Sequence, residues 1–222
     1  MSSENPLQRA APSRVPASIV RRVSQRARKL ILKHWERGPD GGFAAEPYVA
    51  GDGCKTIGWG HVIRLQDCII PPIDEARAQA LFDADVGDVE VYISALMPPA
   101  APQPLFDAAC CLTFNVGIDH VDHGQRTKAA IRAADPMAFA RVCPEWRLSR
   151  GQPMAGLVRR RAEEAALALG RSDEAILRIR ETLGGFSSAG VLGLSPTALL
   201  NLSAGQTIHA TAPADPAPAP KA

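Results

Sequence analysis

Aromatic residues are scarce in this 222-residue chain, at 5%, and no stretch of about 18 uncharged apolar residues occurs in it. Its opening residues, MSSENPLQRAAPSRVPAS, contain no apolar core of a secretory signal. The expectation is a protein with no signal peptide or transmembrane segment, cytoplasmic until something releases it. Cysteines number five, an odd count that suits a reducing compartment, and Cys54, Cys68 and Cys143 lack metal-ligand spacing. Cys110 and Cys111 are neighbours in an apolar run, so they face different sides of a helix as small hydrophobes. Acids are nearly missing from the start: residues 1–34 hold eight Lys/Arg against the single Glu4. Such a run is either a solvated helix face or an attraction to a polyanion. No aromatic or glycine interleaving accompanies the charges, which favours the solvated face and argues against a nucleic-acid partner.

What remains is the composition of a globular domain, 46% hydrophobic and 22% charged, rich in alanine. Residues 1–17 read as a disordered basic leader. From Ser18, Val20, Val23, Ala27, Leu30 or Ile31 and Trp35 recur at helical spacing, and Gly38-Pro39-Asp40-Gly41-Gly42 stops that helix near Glu36. Residues 43–63 read as short strands with a tight turn at Gly51-Asp52-Gly53. Asp74 caps the next helix, which continues through Ile93 and Leu96. Residues 105–115 form a strongly apolar, central helix, and further helices are expected at 125–134, 136–143, 155–169 and 172–183. After Gly184 the chain turns to Gly, Ser, Ala and Pro. The expected organisation is a main domain over 18–170, an extra helix over 171–183 and a low-complexity, disordered tail over 184–222. The fold class is α+β and mainly helical, a small β-hairpin region beside a helical lobe with a cleft between them.

Four blocks then fall in order. Trp35-Glu36 closes the first helix. Tyr48, Gly53, Thr56, Ile57, Gly58, Trp59, Gly60 and His61 spell Y-x4-G-x2-T-I-G-W-G-H, then Phe114-Asn115-Val116-Gly117 follows, and Glu145-Trp146 precedes Gly156-Leu157-Val158-Arg159-Arg160-Arg161. Over roughly residues 20–170 the chain resembles the phage-type lysozymes, the endolysin muramidases of glycoside hydrolase family 24. The resemblance implies a lysozyme-like fold and a bacteriolytic activity, cleavage of the β-1,4 bond between N-acetylmuramic acid and N-acetylglucosamine in peptidoglycan.

That reaction needs a proton donor for a poor leaving group, and an inverting hydrolase needs a second carboxylate roughly 6.5–9.5 Å away to activate water. A glutamate at a helix end beside a tryptophan and a covering hairpin suits the donor, so Glu36 is the expected general acid. The resemblance gives water positioning to Thr56 and substrate contacts to Tyr48, Trp59, His61 and Asn115. His61 also suits a purely structural role between hairpin and helix end, and Trp59 and Trp146 suit core or cleft wall as well as a sugar platform. The family's water-activating aspartate, two residues after the tyrosine, is here Ala50. Asp52 is the nearest carboxylate along the chain and the candidate substitute base. The segment between Glu36 and Tyr48 is also longer than the family's, around residues 38–42, and brings in Asp40 and Glu46.

Three outcomes follow: a muramidase using Glu36 and Thr56 with or without Asp52, a transglycosylase-like reaction using one acid/base, or a catalytically weak or inactive peptidoglycan-binding accessory. No cofactor or metal is expected. His120-x-x-His123 with Asp119 and Asp122 lacks a third well-spaced ligand and reads as a loop. Arg159, Arg160 and Arg161 suit either an anionic glycan peptide or ordinary pairing with Glu163 and Glu164. The expected partner is peptidoglycan, met by a monomer with no integral membrane segment, and a phage product would depend on a holin-type protein for release.

Overall fold

The computed structural model describes residues 20–51 and 53–207. Residues 1–19, which include the leader at 1–17 and the expected helix start at Ser18, together with Asp52 and residues 208–222, lie outside the described residues. The first helical run begins at Ser24, whose side chain accepts from the Ala27 N–H, and the described residues ahead of it, 20–23, are not helical. It passes from an α segment, α1 (Gln25–Ala27), through a π-helical stretch, Arg28–Leu32, into α2 (Lys33–Trp35), with Glu36 as its C-cap. A stretch of this kind is a recurrent companion of functional sites.

Arg22, Arg26, Arg28 and Lys33 are held by acids and acceptors from elsewhere in the chain. Glu90 is fully buried and accepts from Arg22 at 2.6 Å, Arg28 at 3.1 Å and the Val23 N–H at 2.8 Å. Asp107, also buried, takes the Ser24 N–H at 2.9 Å and its hydroxyl at 2.5 Å. Arg26 pairs with Asp173, and Lys33 reaches Gln79. Over the described residues, Arg22, Arg26, Arg28 and Lys33 therefore anchor this run to the rest of the chain, and a merely solvated face describes them incompletely.

Strands β1 (Ala44–Val49), β2 (Lys55–Gly58) and β3 (His61–Val62) form one antiparallel sheet in that order. The expected hairpin is thus three-stranded. Tyr48 stands opposite Thr56, and Ile57 opposite His61. Beneath the sheet, Ile57 packs with Ile73, Ala78 and Leu81, a small core separate from the main one.

α3 (Glu75–Leu96) starts at Asp74, which accepts from the Arg77 N–H at 2.7 Å. α4 (Gln103–Val116) is buried all round from Leu105 to Thr113, as a helix apolar on every face must be. Gly117, at φ +91°, ends it, and Asn115 lies in its last turn. The segment expected to be a loop around His120 is a helix, α5 (Ile118–His123), followed by α6 (Gln125–Arg132) and α7 (Pro136–Val142).

A 3₁₀ turn (Cys143–Glu145) leads into a second small sheet, β4 (Leu148–Ser149) with β5 (Gln152–Pro153), which periodicity could not foretell from two-residue strands. Arg150 and Gly151 connect them with φ of +51° and +76°, a two-residue turn of the primed type. α8 (Ala155–Ala168) packs along α4 and carries the arginine run. α9 (Asp173–Gly184) follows.

The tail expectation fails over its first part. Ser187 and Ser195 cap two further helices, α10 (Ser188–Leu192) and α11 (Pro196–Ser203). Val191, Leu199 and Leu202 are buried in the main core, and the Ser203 hydroxyl lies 2.9 Å from the Ala162 carbonyl. Both helices belong to the helical lobe. No helix among the described residues is long and apolar enough to cross a membrane.

Candidate active site

The helix that ends at Trp35 delivers Glu36 to the junction of the sheet and the helical lobe. Glu36 has left helical geometry, with φ −101° and ψ +26°, and its side chain is 14% exposed. On one side, Arg160 from α8 donates through Nη1 to Glu36 Oε1 at 2.5 Å. On the other, Oε2 lies against Gly60, which has φ +80° and no room for a Cβ beside that oxygen. Only glycine satisfies both the left-handed backbone and the close approach. One carboxylate is thus wedged between the two parts of the fold.

Arg160 is 3% exposed, and its guanidinium is shared. Nε donates to Glu164 at 2.9 Å, and Nη2 reaches the Cys111 carbonyl at 3.4 Å. Burial opposes the Arg160 charge, but Glu36 and Glu164 outweigh that and hold it above its ordinary value. Arg161, fully buried, donates through Nη2 to Asn115 Oδ1 at 2.8 Å and to Glu164 at 3.0 Å. Its Nε and Nη1 find no acceptor among the described residues, and burial draws its pKa down. Asn115 is therefore tied to this buried network through its side-chain oxygen.

Arg159 leaves the site altogether and donates to the carbonyls of Leu183 and Phe186. Glu163 does not pair within the arginine run. It accepts from Trp35 Nε1 at 3.1 Å and from Arg180 at 2.6 Å, and its burial raises its pKa. Trp35 thereby fixes the last turn before Glu36. His34, in that same turn, is held to about 4, first by burial and then by Arg180, Arg37 and Arg160.

On the sheet, Thr56 is buried, and its hydroxyl lies 3.2 Å from the Cys54 carbonyl. Tyr48 is half-buried on the neighbouring strand, opposite it. Trp59 is partly buried against both cores, tilted against Phe43, with the Lys33 ammonium 4.7 Å from its ring. Its indole N–H has no acceptor among the described residues. These contacts place Trp59 in the wall under the sheet. His61 is buried, its Nδ1 2.8 Å from Asp85 and its Nε2 3.3 Å from Asp67. The Asp85 hydrogen bond, joined by Asp67, raises the His61 pKa against the opposing effect of burial. Both ring nitrogens are engaged by carboxylates, so His61 locks the sheet to α3.

Ala50 sits at the β1–β2 turn, its N–H donating to the Cys54 carbonyl at 2.9 Å. The β4–β5 hairpin of the helical lobe meets this turn. The Arg150 guanidinium lies where Gly53 would carry a Cβ, and Met154 Cε is 3.2 Å from the same place on Gly51. This contact involves residues that sequence reasoning missed, since strands of two residues leave no periodic signal. His120 and His123 join no group of three potential metal ligands among the described residues, and His123 Nδ1 turns instead to the Asp119 carbonyl at 2.6 Å. Trp146 donates to Thr127 at 2.8 Å and so ties the 3₁₀ turn to α6.

The family described as phage lysozyme matches residues 39–164, and Glu36 stands just ahead of the matched segment. The endolysin of Acyrthosiphon pisum secondary endosymbiont phage 1 is 25% identical over 142 residues, covering 62% of this chain and 92% of that one. Among solved structures, the muramidase domain of SpmX from Asticaccaulis excentricus is 25% identical with a TM-score of 0.54, covering 67% of this chain and 97% of that domain. The active form of P1 phage endolysin Lyz shares the fold at 20% identity and a TM-score of 0.56, over 67% of this chain and 85% of that one.

Proposed function

The chain belongs to the phage lysozyme family, and from that premise we propose that it is a peptidoglycan hydrolase. Its bond is the β-1,4 linkage between N-acetylmuramic acid and N-acetylglucosamine, and its consequence is lysis of the bacterial wall. The observation that supports this most is the position of Glu36. It is the carboxylate wedged between Arg160 and Gly60 at the junction of sheet and helical lobe. Arg160 occupies Oε1, which leaves Oε2 as the atom that carries a proton to the glycosidic oxygen. Thr56 positions the water that attacks the anomeric carbon from the opposite face, and Tyr48 and Asn115 line the sugar's path.

With Ala50 in the place of the family's water-activating aspartate, the attack is less assisted. Asp52 is the proposed substitute base. Loss of a general base typically costs 10²–10⁴-fold in rate, which slows hydrolysis without forbidding it. Clearing of a peptidoglycan suspension tests the reading: the wild-type protein lowers turbidity and Glu36→Gln does not. Equal clearing by both removes Glu36 from the chemistry.

Ala50, together with the hairpin that covers its turn, favours a second reading, a peptidoglycan-binding accessory with little or no turnover. Pelleting with purified peptidoglycan while no reducing sugar is released would establish it. A transglycosylase-like reaction, in which the sugar's own hydroxyl attacks, needs only Glu36. We place the protein in the cytoplasm as a monomer until a holin-type partner admits it to the wall.

A further inference from the structure

A cavity of about 350 Å³ lies between α9 and α11, built from parts the cleft does not use. Ala175, Arg178, Ile179 and Thr182 fall at i, i+3, i+4 and i+7 and line it from one face of α9. Leu202 and the chain leaving α11 close the other side. Its size falls within the range of small-ligand sites, which pair an apolar lining with a few placed polar groups. Ile179 and Leu202 are buried and give it an apolar floor. Arg171 and Arg178 put two cations at its edge, with the hydroxyls of Thr182 and Thr207.

The neighbouring arginines are already spoken for: Arg26 by Asp173 and the Arg171 carbonyl, Arg180 by Glu163 and the Leu30 carbonyl, Arg159 by two carbonyls. The guanidinium groups of Arg171 and Arg178 donate to no acceptor among the described residues, and Glu174, one turn from Arg178 on α9, is the acid that feels its charge. Arg171 is also held in place. Its carbonyl is gripped by Arg26, and its guanidinium rests against Gly205, which has φ +90° and no room for a Cβ there. A side chain already ordered loses little more on meeting a ligand.

We propose that this cavity binds the free carboxylate end of a short peptide with small apolar side chains. The two guanidinium forks take the carboxylate, a geometry to which arginine is matched, and the floor of Ala175, Ile179 and Leu202 takes the methyl groups. The apolar floor selects such a ligand over a fully hydrated phosphate. The choice of an alanyl peptide rests on the peptidoglycan reading above, since the peptides of that polymer can end in D-alanyl carboxylates. The site then holds the enzyme to the peptide portion of the wall while the cleft engages the glycan.

Titration calorimetry on the full chain with N-acetyl-D-alanyl-D-alanine tests it. The dipeptide binds, its C-terminal amide does not, and Arg171→Gln and Arg178→Gln each weaken binding about tenfold or more, as loss of one charge-assisted bond requires. Thermal melts of the two variants that match wild type exclude unfolding as the cause. No heat from the dipeptide, equal binding of its amide, equal affinity for inorganic phosphate, or variants that bind as wild type each overturn the proposal. The dipeptide has no glycosidic bond, so this result is independent of whether Glu36→Gln abolishes clearing.

Discussion

Arg160 and Glu36, 124 residues apart in sequence, meet through a 2.5 Å Nη1–Oε1 hydrogen bond that couples the helical lobe to the end of the first helical run. The same guanidinium holds the fully buried Glu164. Arg160→Met removes the cation that Glu36 and Glu164 share and leaves buried Glu164 with Arg161 alone as its cationic partner. Breaking a buried pair by removing one partner costs about 3–5 kcal/mol, so urea denaturation should show that loss. Arg160→Lys keeps the charge without the fork and should recover only part of it. A variant as stable as wild type would mean the network contributes nothing net.

Gly60→Ala probes the other side of the same carboxylate. The added Cβ meets Glu36 Oε2, and a left-handed backbone costs an L-residue roughly 1–2 kcal/mol. A misplacement of about 1 Å at a reacting group is worth about a hundredfold in rate. Wall-clearing activity should therefore fall by about that factor while the fold survives. Unchanged activity would show that the position of Oε2 does not matter to the reaction.

Ala50→Asp puts a carboxylate at the position to which the proposed reading assigns the water-activating aspartate. If the missing base limits the rate, clearing should accelerate by up to 10²–10⁴-fold. The companion variant Asp52→Asn should slow the wild-type reaction and leave Ala50→Asp nearly unaffected. An Ala50→Asp protein no faster than wild type, assayed side by side, contradicts the idea that hydrolysis is limited at this turn.

Two histidines give stability a pH dependence of opposite sign. His61 has its folded pKa raised, so its contribution is complete below the ordinary value near 6.5 and is lost as pH climbs through the raised value. His34 is depressed to about 4, so folding favours its neutral ring, and stability falls as pH drops from 6.5 toward 4. Melting temperatures followed from about pH 4 to about pH 9 should peak in between. His61→Asn should be most destabilising below about pH 6.5, with the gap to wild type closing at higher pH, and His34→Gln should flatten the acid limb. A gap for His61→Asn that widens with pH would reverse the assignment.

Ending the chain at Gly184 removes α10 and α11 and with them the burial of Val191, Leu199 and Leu202. At about 1.5–3 kcal/mol for each buried side chain, the loss is on the order of 5 kcal/mol, comparable with the whole stability of a small domain. The truncated protein should melt far below the full chain or fail to fold. An identical melting temperature would make these helices an ornament of the lobe.

The larger elements were legible because their signals are local. The glycine and proline run at 38–42 marks the end of the first helical run, Asp74 marks the start of α3, and the unbroken apolar stretch from Leu105 marks the buried α4. Glu36 followed from the same logic, a carboxylate left at a helix end. The partners that define its environment were not legible, because Arg160 and Gly60 are fixed by packing, and three adjacent arginines look alike until α8 is oriented. His61 is similar: its carboxylates come from a nearby loop and from α3. The two C-terminal helices were hidden by composition, although Ser195-Pro196, an N-cap residue followed by proline at the first helical position, announced one of them.

On the proposed reading, Glu36 drives hydrolysis of the glycan with alanine at position 50. Mass spectrometry of the fragments released from purified peptidoglycan tests it most directly. The expected result is muropeptides with hydrated reducing ends from the wild-type protein and none from Glu36→Gln. Anhydro-sugar ends would show transglycosylation in place of hydrolysis, and intact wall after incubation with wild-type protein would contradict the account outright.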